Sequence, residues 1–162
     1  MSLALARGSE PLLGIVHDPL RNETFCARRG EGATLNDVPI HVSPTNDLAR
    51  ALLATGFPYD RRSRSEFYAG FVADFIRRAR DIRRLGSAAL DLCWVACGRF
   101  DGFWEWKLQP WDTAAGILIV REAGGTVSDF LGGPFDLYGE QTLASNGLVH
   151  PGMVDILKTR LG

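Results

Sequence analysis

The densest run of chemistry-bearing residues is Glu105-Trp106-Lys107-Leu108-Gln109-Pro110-Trp111-Asp112-Thr113-Ala114-Ala115-Gly116. Pro110 suits the first position of a helix, where its missing N–H would be unpaired in any case. Asp112 then falls in the first helical turn, and two readings of its carboxylate stand side by side. It complements the helix dipole, or it points past the helix terminus into a cleft and holds a cation. Ala114, Ala115 and Gly116 in the next turn let another backbone or a ligand come close. Seven residues upstream, Glu105 ends a run of bulky aromatics. It is either an acceptor for the hydroxyls of a polar ligand or a solvated strand end. The third element is Leu85-Gly86-Ser87-Ala88-Ala89, a strand-to-helix junction with free backbone N–H groups. Such junctions suit anions and hydroxyls, and they are also ordinary helix starts.

Other chemistries find less support. Cys26, Cys93 and Cys97 have neither disulfide nor zinc spacing, and Cys93 and Cys97 share an apolar helical face, so buried inert thiols are expected. His17, His41 and His150 are scattered. A formal net charge of −1 gives no overall drive toward nucleic acid, membrane or polyanions. Residues 60–84 hold eight Arg, but Asp60, Glu66, Asp74 and Asp81 are interleaved at helical spacing, which favours a solvated outer face over a nucleic-acid grip. No apolar run reaches the roughly 18 residues needed to span a bilayer. Arg7 and Glu10 spoil a signal-peptide reading of the start, so a cytoplasmic location is expected.

The elements that must position these residues fall into two stretches. Ser2–Ala6, Pro11–His17, Glu23–Arg28 and Val38–Val42 read as an antiparallel meander with turns at 7–10, 18–22 and Asn36-Asp37. Leu48–Thr55 reads as a strand stopped by Gly56, Phe57 and Pro58. Ser63 caps a helix through about Arg80, with Phe67, Phe71, Phe75 and Ile76 at three-to-four spacing. Ile82–Leu85 is a short strand, and Ser87 caps a helix from Ala88 to Cys97 that Gly98 ends. A strand over Phe103–Trp106, a helix from Pro110 to about Ala123, strands near Thr126–Asp129 and Thr142–Ser145, and a helix over Gly152–Leu161 complete the chain. The pattern predicts layered α/β packing. It divides into an antiparallel sheet region with a covering helix, residues 1–80, and an α/β region over 81–162. No element precedes the meander to cover it, which is the pattern of a truncated domain.

Taken together, these segments resemble the inositol monophosphatase family. The run PWDTAAGILIVREAGG, residues 110–125, looks like the family's second signature. The stretch from Ser9 through the Asp18-Pro19-Leu20 turn to Val42, together with GGPFDL at 132–137 and LASNG at 143–147, is similar in order and spacing. The resemblance implies the C-terminal part of the layered αβαβα sugar-phosphatase fold shared with fructose bisphosphatases. It implies magnesium-dependent (Mg2+) hydrolysis of a phosphate monoester, with inositol or another polyol phosphate as substrate, and a homodimer. Asp112 would ligate magnesium and touch substrate, Glu105 would accept hydrogen bonds from ring hydroxyls, and Gly86, Ser87 and Ala88 would line the same pocket through backbone atoms. Histidinol phosphate or a nucleotide 3′-phosphate is the alternative substrate within the superfamily.

The family's first signature, Asp-Pro-(Ile/Leu)-Asp-Gly-Thr, is absent. Asp18-Pro19-Leu20 imitates its start, but Arg21-Asn22-Glu23 follows, so no catalytic role is expected for Asp18. Magnesium requires near-octahedral oxygen coordination, and one carboxylate does not fix a catalytic cluster. The chain as given is therefore expected to be catalytically deficient. A non-catalytic remnant or binding module is the reading from a different class, and an RNA-contacting protein is a weaker one.

Overall fold

The computed structural model describes all 162 residues. Ten strands and four helices follow one another along the chain. The first sheet holds β1 (Ser2–Arg7), β2 (Glu10–Asp18), β3 (Glu23–Arg28), β4 (Ala33–Leu35) and β5 (Val38–Pro39), each paired antiparallel with the next. The second is built from β6 (Leu52–Thr55), β7 (Asp81–Arg83), β8 (Gly102–Trp106), β9 (Thr126–Ser128) and β10 (Gln141–Ser145) in the order β7-β6-β8-β10-β9. β6 runs parallel to both β7 and β8, and the other pairs are antiparallel. The helices are α1 (Ser65–Ile76), α2 (Ala88–Ala96), α3 (Pro110–Glu122) and α4 (His150–Leu161).

These elements stack in four layers: first sheet, α2 with α3, second sheet, α1 with α4. Strand alternation builds both interfaces. Ala54, Phe103 and Ala144 turn one face of the second sheet toward α2 and α3, where Val16, Phe25 and Ala27 arrive from the first sheet. Their neighbours Leu53, Trp104 and Leu143 face the other way and meet Phe71, Phe75, Met153 and Leu157 of α1 and α4. The period of two that separates these sets is the pleat of a strand covered on both sides. Phe75 stacks on Trp104 with ring centroids 4.0 Å apart. Burying a side chain of that size contributes roughly 2–3 kcal/mol.

The helix that covers the meander is a different one from that expected: α3 packs on β1, β2 and β3. It comes from the second half of the chain, whereas α1, from the first half, lies on the second sheet. Period and propensity show that a helix has an apolar stripe, but not which sheet receives it. The approach of α3 to β2 is close because Gly14 faces it. A Cβ there would lie 2.8 Å from the Ala115 carbonyl oxygen, and one on Gly116 would lie 2.7 Å from Leu92 Cβ. The small residues of α3 thus admit another backbone, one of the two options their size left open.

Several boundaries also move. The 48–55 run splits into a short 3-10 turn, Leu48–Arg50, and β6, because Asp47 accepts the Ala49 N–H and caps the turn. α1 begins at Ser65 and stops at Ile76, where exposed arginines follow. β4 escapes a hydropathy reading because it has only three residues. Asn36 and Asp37 both take positive φ, 49° and 65°, as a two-residue hairpin between Leu35 and Val38 requires. Long-range polar contacts fix the connections. Glu122, at the end of α3, accepts the Gly30 and Gly32 N–H groups, both at 2.9 Å. Asn146 donates to Ser43 Oγ and the Thr45 carbonyl and accepts from the Leu148 and Val149 N–H groups.

Candidate functional site

A cleft of about 550 Å3 opens where β6, β8, α2 and α3 come together with the β2–β3 turn, and it gathers Gly86, Ser87, Ala88, Glu105 and Asp112. Gly86 takes φ +92° and swings the chain from β7 into α2. Ser87 is the N-cap residue, in extended conformation, but its hydroxyl makes no capping bond. The first-turn N–H groups of α2 therefore lack that side-chain partner. Glu105 comes in on β8, opposite Thr142 of β10. Its carboxyl lies directly against Gly56, where an added Cβ would stand 2.2 Å from Oε2.

Asp112 serves the helix start and also faces the cleft. As the third residue of α3 it closes a capping box with Gln109, its Oδ2 accepting the Gln109 N–H at 3.0 Å. The residue also lines the cleft, and Oδ1 carries no hydrogen bond within the chain. Lys107 bridges Glu105 to Asp112 in sequence and sits at φ +57°, an uncommon conformation for a residue with a side chain. Its ammonium pairs with Asp60 at 2.7 Å, and Asp60 also accepts the Tyr68 hydroxyl at 2.9 Å. That pairing holds Lys107 above and Asp60 below their usual titration ranges, with the hydrogen bond between them as the largest cause. It ties the Tyr59–Arg62 turn to the cleft rim.

The electrostatics of the floor are unusual. Burial, with Asp91 and Asp112 as negative neighbours, pushes Glu105 up to about 7 against a weaker pull from Arg84. Asp91 of α2 is pushed up to about 7 as well, by burial. Asp18 also reaches the cleft wall, yet its carboxylate is committed to the Arg21 guanidinium at 2.8 Å and the Leu20 N–H at 3.0 Å. The Arg21 hydrogen bond, opposed by burial, lowers its pKa. Asp18 is thus a turn-fixing residue. Nowhere does the chain group three His, Cys, Asp or Glu side chains in an arrangement that could hold a metal ion.

Sequence reasoning missed Gly56, Arg84 and Asp91. By sequence Gly56 is only the stop of a strand. Arg84 lay within a basic stretch dominated by surface residues. Asp91 left the clearest trace, as the single charge in the helix AALDLCWVA.

A layered α/β chain with a carboxylate-bearing cleft at the start of two helices belongs, as a class, with the sugar-phosphatase folds. The description of the inositol monophosphatase family matches residues 1–160, and the chain belongs to that family. It is 44% identical over 161 residues to the Nus factor SuhB of Escherichia coli K12, covering 99% of this chain and 60% of that protein. It is 48% identical over 151 residues to the inositol-1-monophosphatase of Synechocystis, covering 93% of this chain and 52% of that one. Among solved structures, the inositol monophosphatase from Anabaena superposes with a TM-score of 0.93 at 42% identity, over 98% of this chain and 63% of its own. The SuhB protein of Bartonella henselae gives 0.91 at 40% identity, over 97% and 60%. The chain thus spans between half and two thirds of the length of these relatives. No helix is long and apolar enough to cross a membrane.

Proposed function

We propose that this chain carries the substrate pocket of a magnesium-dependent phosphomonoesterase acting on inositol monophosphate or a similar polyol phosphate. The observation that carries the reading is the convergence of Glu105, Asp112 and the Gly86–Ala88 turn, from three separate elements, on one cleft. In this reading Glu105 meets ring hydroxyls, backbone groups of Gly86, Ser87 and Ala88 meet the substrate beside it, and Asp112 Oδ1 serves as one magnesium ligand. The rest of the metal site does not fit. Magnesium takes six oxygens in near-octahedral array, and the chain assembles no acidic trio around Asp112. The 162 residues alone are therefore proposed to bind magnesium weakly and to hydrolyse little.

Binding is the direct test, because it does not depend on turnover. Inositol 1-phosphate added with magnesium should shift backbone amide resonances of Gly86–Ala88 and of the Glu105–Asp112 stretch. Glu105→Gln should weaken that binding about tenfold, the scale of a hydrogen bond to a charged group. Asp112→Asn should remove its dependence on magnesium. Shifts that map elsewhere, or an affinity indifferent to both changes, would overturn the reading. Tighter binding of histidinol phosphate or a nucleotide 3′-phosphate would move the substrate assignment, and vigorous phosphate release by the chain alone would refute the catalytic deficiency.

A further inference from the structure

Lys107 follows β8 directly, on the cleft wall between Glu105 and Asp112, and its φ of +57° is one that glycine takes freely and a residue with a Cβ takes at a cost. Its N–H is held by the Glu140 carbonyl at 2.7 Å, a bond that glycine would make equally well. What lysine adds at this position is its ammonium, and that group donates to Asp60 at 2.7 Å. Asp60 belongs to the Tyr59–Arg62 turn, in which no side chain is buried, and Tyr59 is fully exposed. Apolar packing therefore does little to seat the turn. The side-chain hydrogen bonds that join it to its neighbours both end on Asp60: Lys107 donates from the end of β8, and the Tyr68 hydroxyl donates from α1 at 2.9 Å. Tyr68 is buried behind the turn, so Lys107 supplies the tie on the cleft side. Residues 56–59 and Arg61 line the same cleft, with Gly56 directly against the Glu105 carboxyl.

We propose that Lys107 is a positioning residue that, through Asp60, holds the Tyr59–Arg62 turn and the segment before it as a fixed wall of the cleft, setting the shape that a substrate beside Glu105 must fit. The ammonium stays on Asp60 and touches no part of the substrate. With this tie cut, the turn hangs on its Tyr68 attachment alone, and the wall is in place for only part of the time. Apparent affinity then falls by that fraction. A backbone conformation unsuited to lysine is kept at the cleft because a glycine there has no side chain to reach the turn. This inference rests on the reading of the cleft as a polyol-phosphate pocket.

The first arm of the test uses the ligand-free chain. Backbone 15N order parameters of residues 59–62 should be about 0.85 in the wild type and below about 0.6 in Lys107→Gly. The Tm of that variant should stay within about 2 °C of wild type, because a partly exposed ion pair contributes little and glycine relieves the backbone. A turn as rigid in Lys107→Gly as in the wild type would overturn the tie. The second arm measures binding of inositol 1-phosphate with magnesium. Lys107→Gly should weaken it about fivefold, as when the wall is seated a fifth of the time. Asp60→Ala should weaken it at least as much, the double variant no further than Asp60→Ala, and Lys107→Arg should recover most of the affinity. Lost affinity at an unchanged Tm marks positioning, which a purely structural lysine would not produce. Tighter binding in Asp60→Ala would mean that the freed ammonium grips the phosphate itself, and it would overturn the proposal, as would an affinity indifferent to Lys107→Gly. A wild-type chain that binds no inositol 1-phosphate would instead sink the polyol-phosphate reading, and the positioning role with it.

Discussion

At the scale of single residues, the cleft is defined as much by unmet hydrogen bonds as by charge. Asp91 and Glu105 are raised above the usual carboxylate range, so between about pH 4 and 7 the folded state holds protons that the unfolded chain has released. Stability from these two groups is present at low pH and falls as pH rises through that window. Asp18, Glu23, Asp74 and Asp81, each lowered first by an arginine hydrogen bond, act in the opposite sense and only at more acid pH. Burial depresses His150, so its contribution is lost as pH drops below about 6.5. Comparing wild type with Asp91→Asn isolates one part of this balance. The stability difference between the two should change by about 2 kcal/mol from pH 5 to pH 8 in favour of the variant. That corresponds to roughly 4–8 °C in relative Tm for a chain of this size. Thermal unfolding at the two pH values checks it, and parallel pH profiles would remove the assignment. The sequence made Glu105 and Asp112 legible because each stood at the end of a patterned element. It could not show Gly56 beneath Glu105, since that contact joins residues 49 positions apart, one on β8 and the other just past the end of its parallel neighbour β6.

At the scale of elements, α3 is the member that both sheets and the site depend on. Its first turn presents Asp112, its middle lies against Gly14, and its last turn holds the Gly30–Gly32 loop through Glu122. Gly14→Ala would force a methyl to within 2.8 Å of the Ala115 carbonyl oxygen, which belongs to backbone and cannot rotate aside. The variant should lose about 1–3 kcal/mol, the usual cost of overpacking. Urea denaturation measures this, and an unchanged midpoint would mean that α3 does not sit where it is described. The start of α3 at Pro110 and its extent to about Ala123 were plain in the sequence. Its place between two sheets was not, because every residue from Thr113 to Val120 is buried and no single stripe marks a preferred side.

At the scale of the whole molecule, the outer face of the first sheet stands out. Leu3 and Leu5 are 56% and 61% exposed, and they pair with Ile15 and Leu13 on the same face. β1 is also an edge strand. An apolar face with a free edge favours association with other chains. Sedimentation of the 162-residue chain should show concentration-dependent association, and Leu3→Thr with Leu5→Lys should shift it toward monomer. A monomer at all concentrations would contradict this. The antiparallel meander itself was legible, down to the Asn36-Asp37 turn, because local turn chemistry fixes its register. The stacking order of four layers depends on contacts far apart in sequence, and no local pattern encodes that order.

The capping box at Gln109 has a last consequence for the proposed reading. With one oxygen of Asp112 latched to the N-terminus of its own helix, the side chain behaves as a fixed jaw and not as a swinging arm, so under that reading holding a cation would surrender little further torsional freedom.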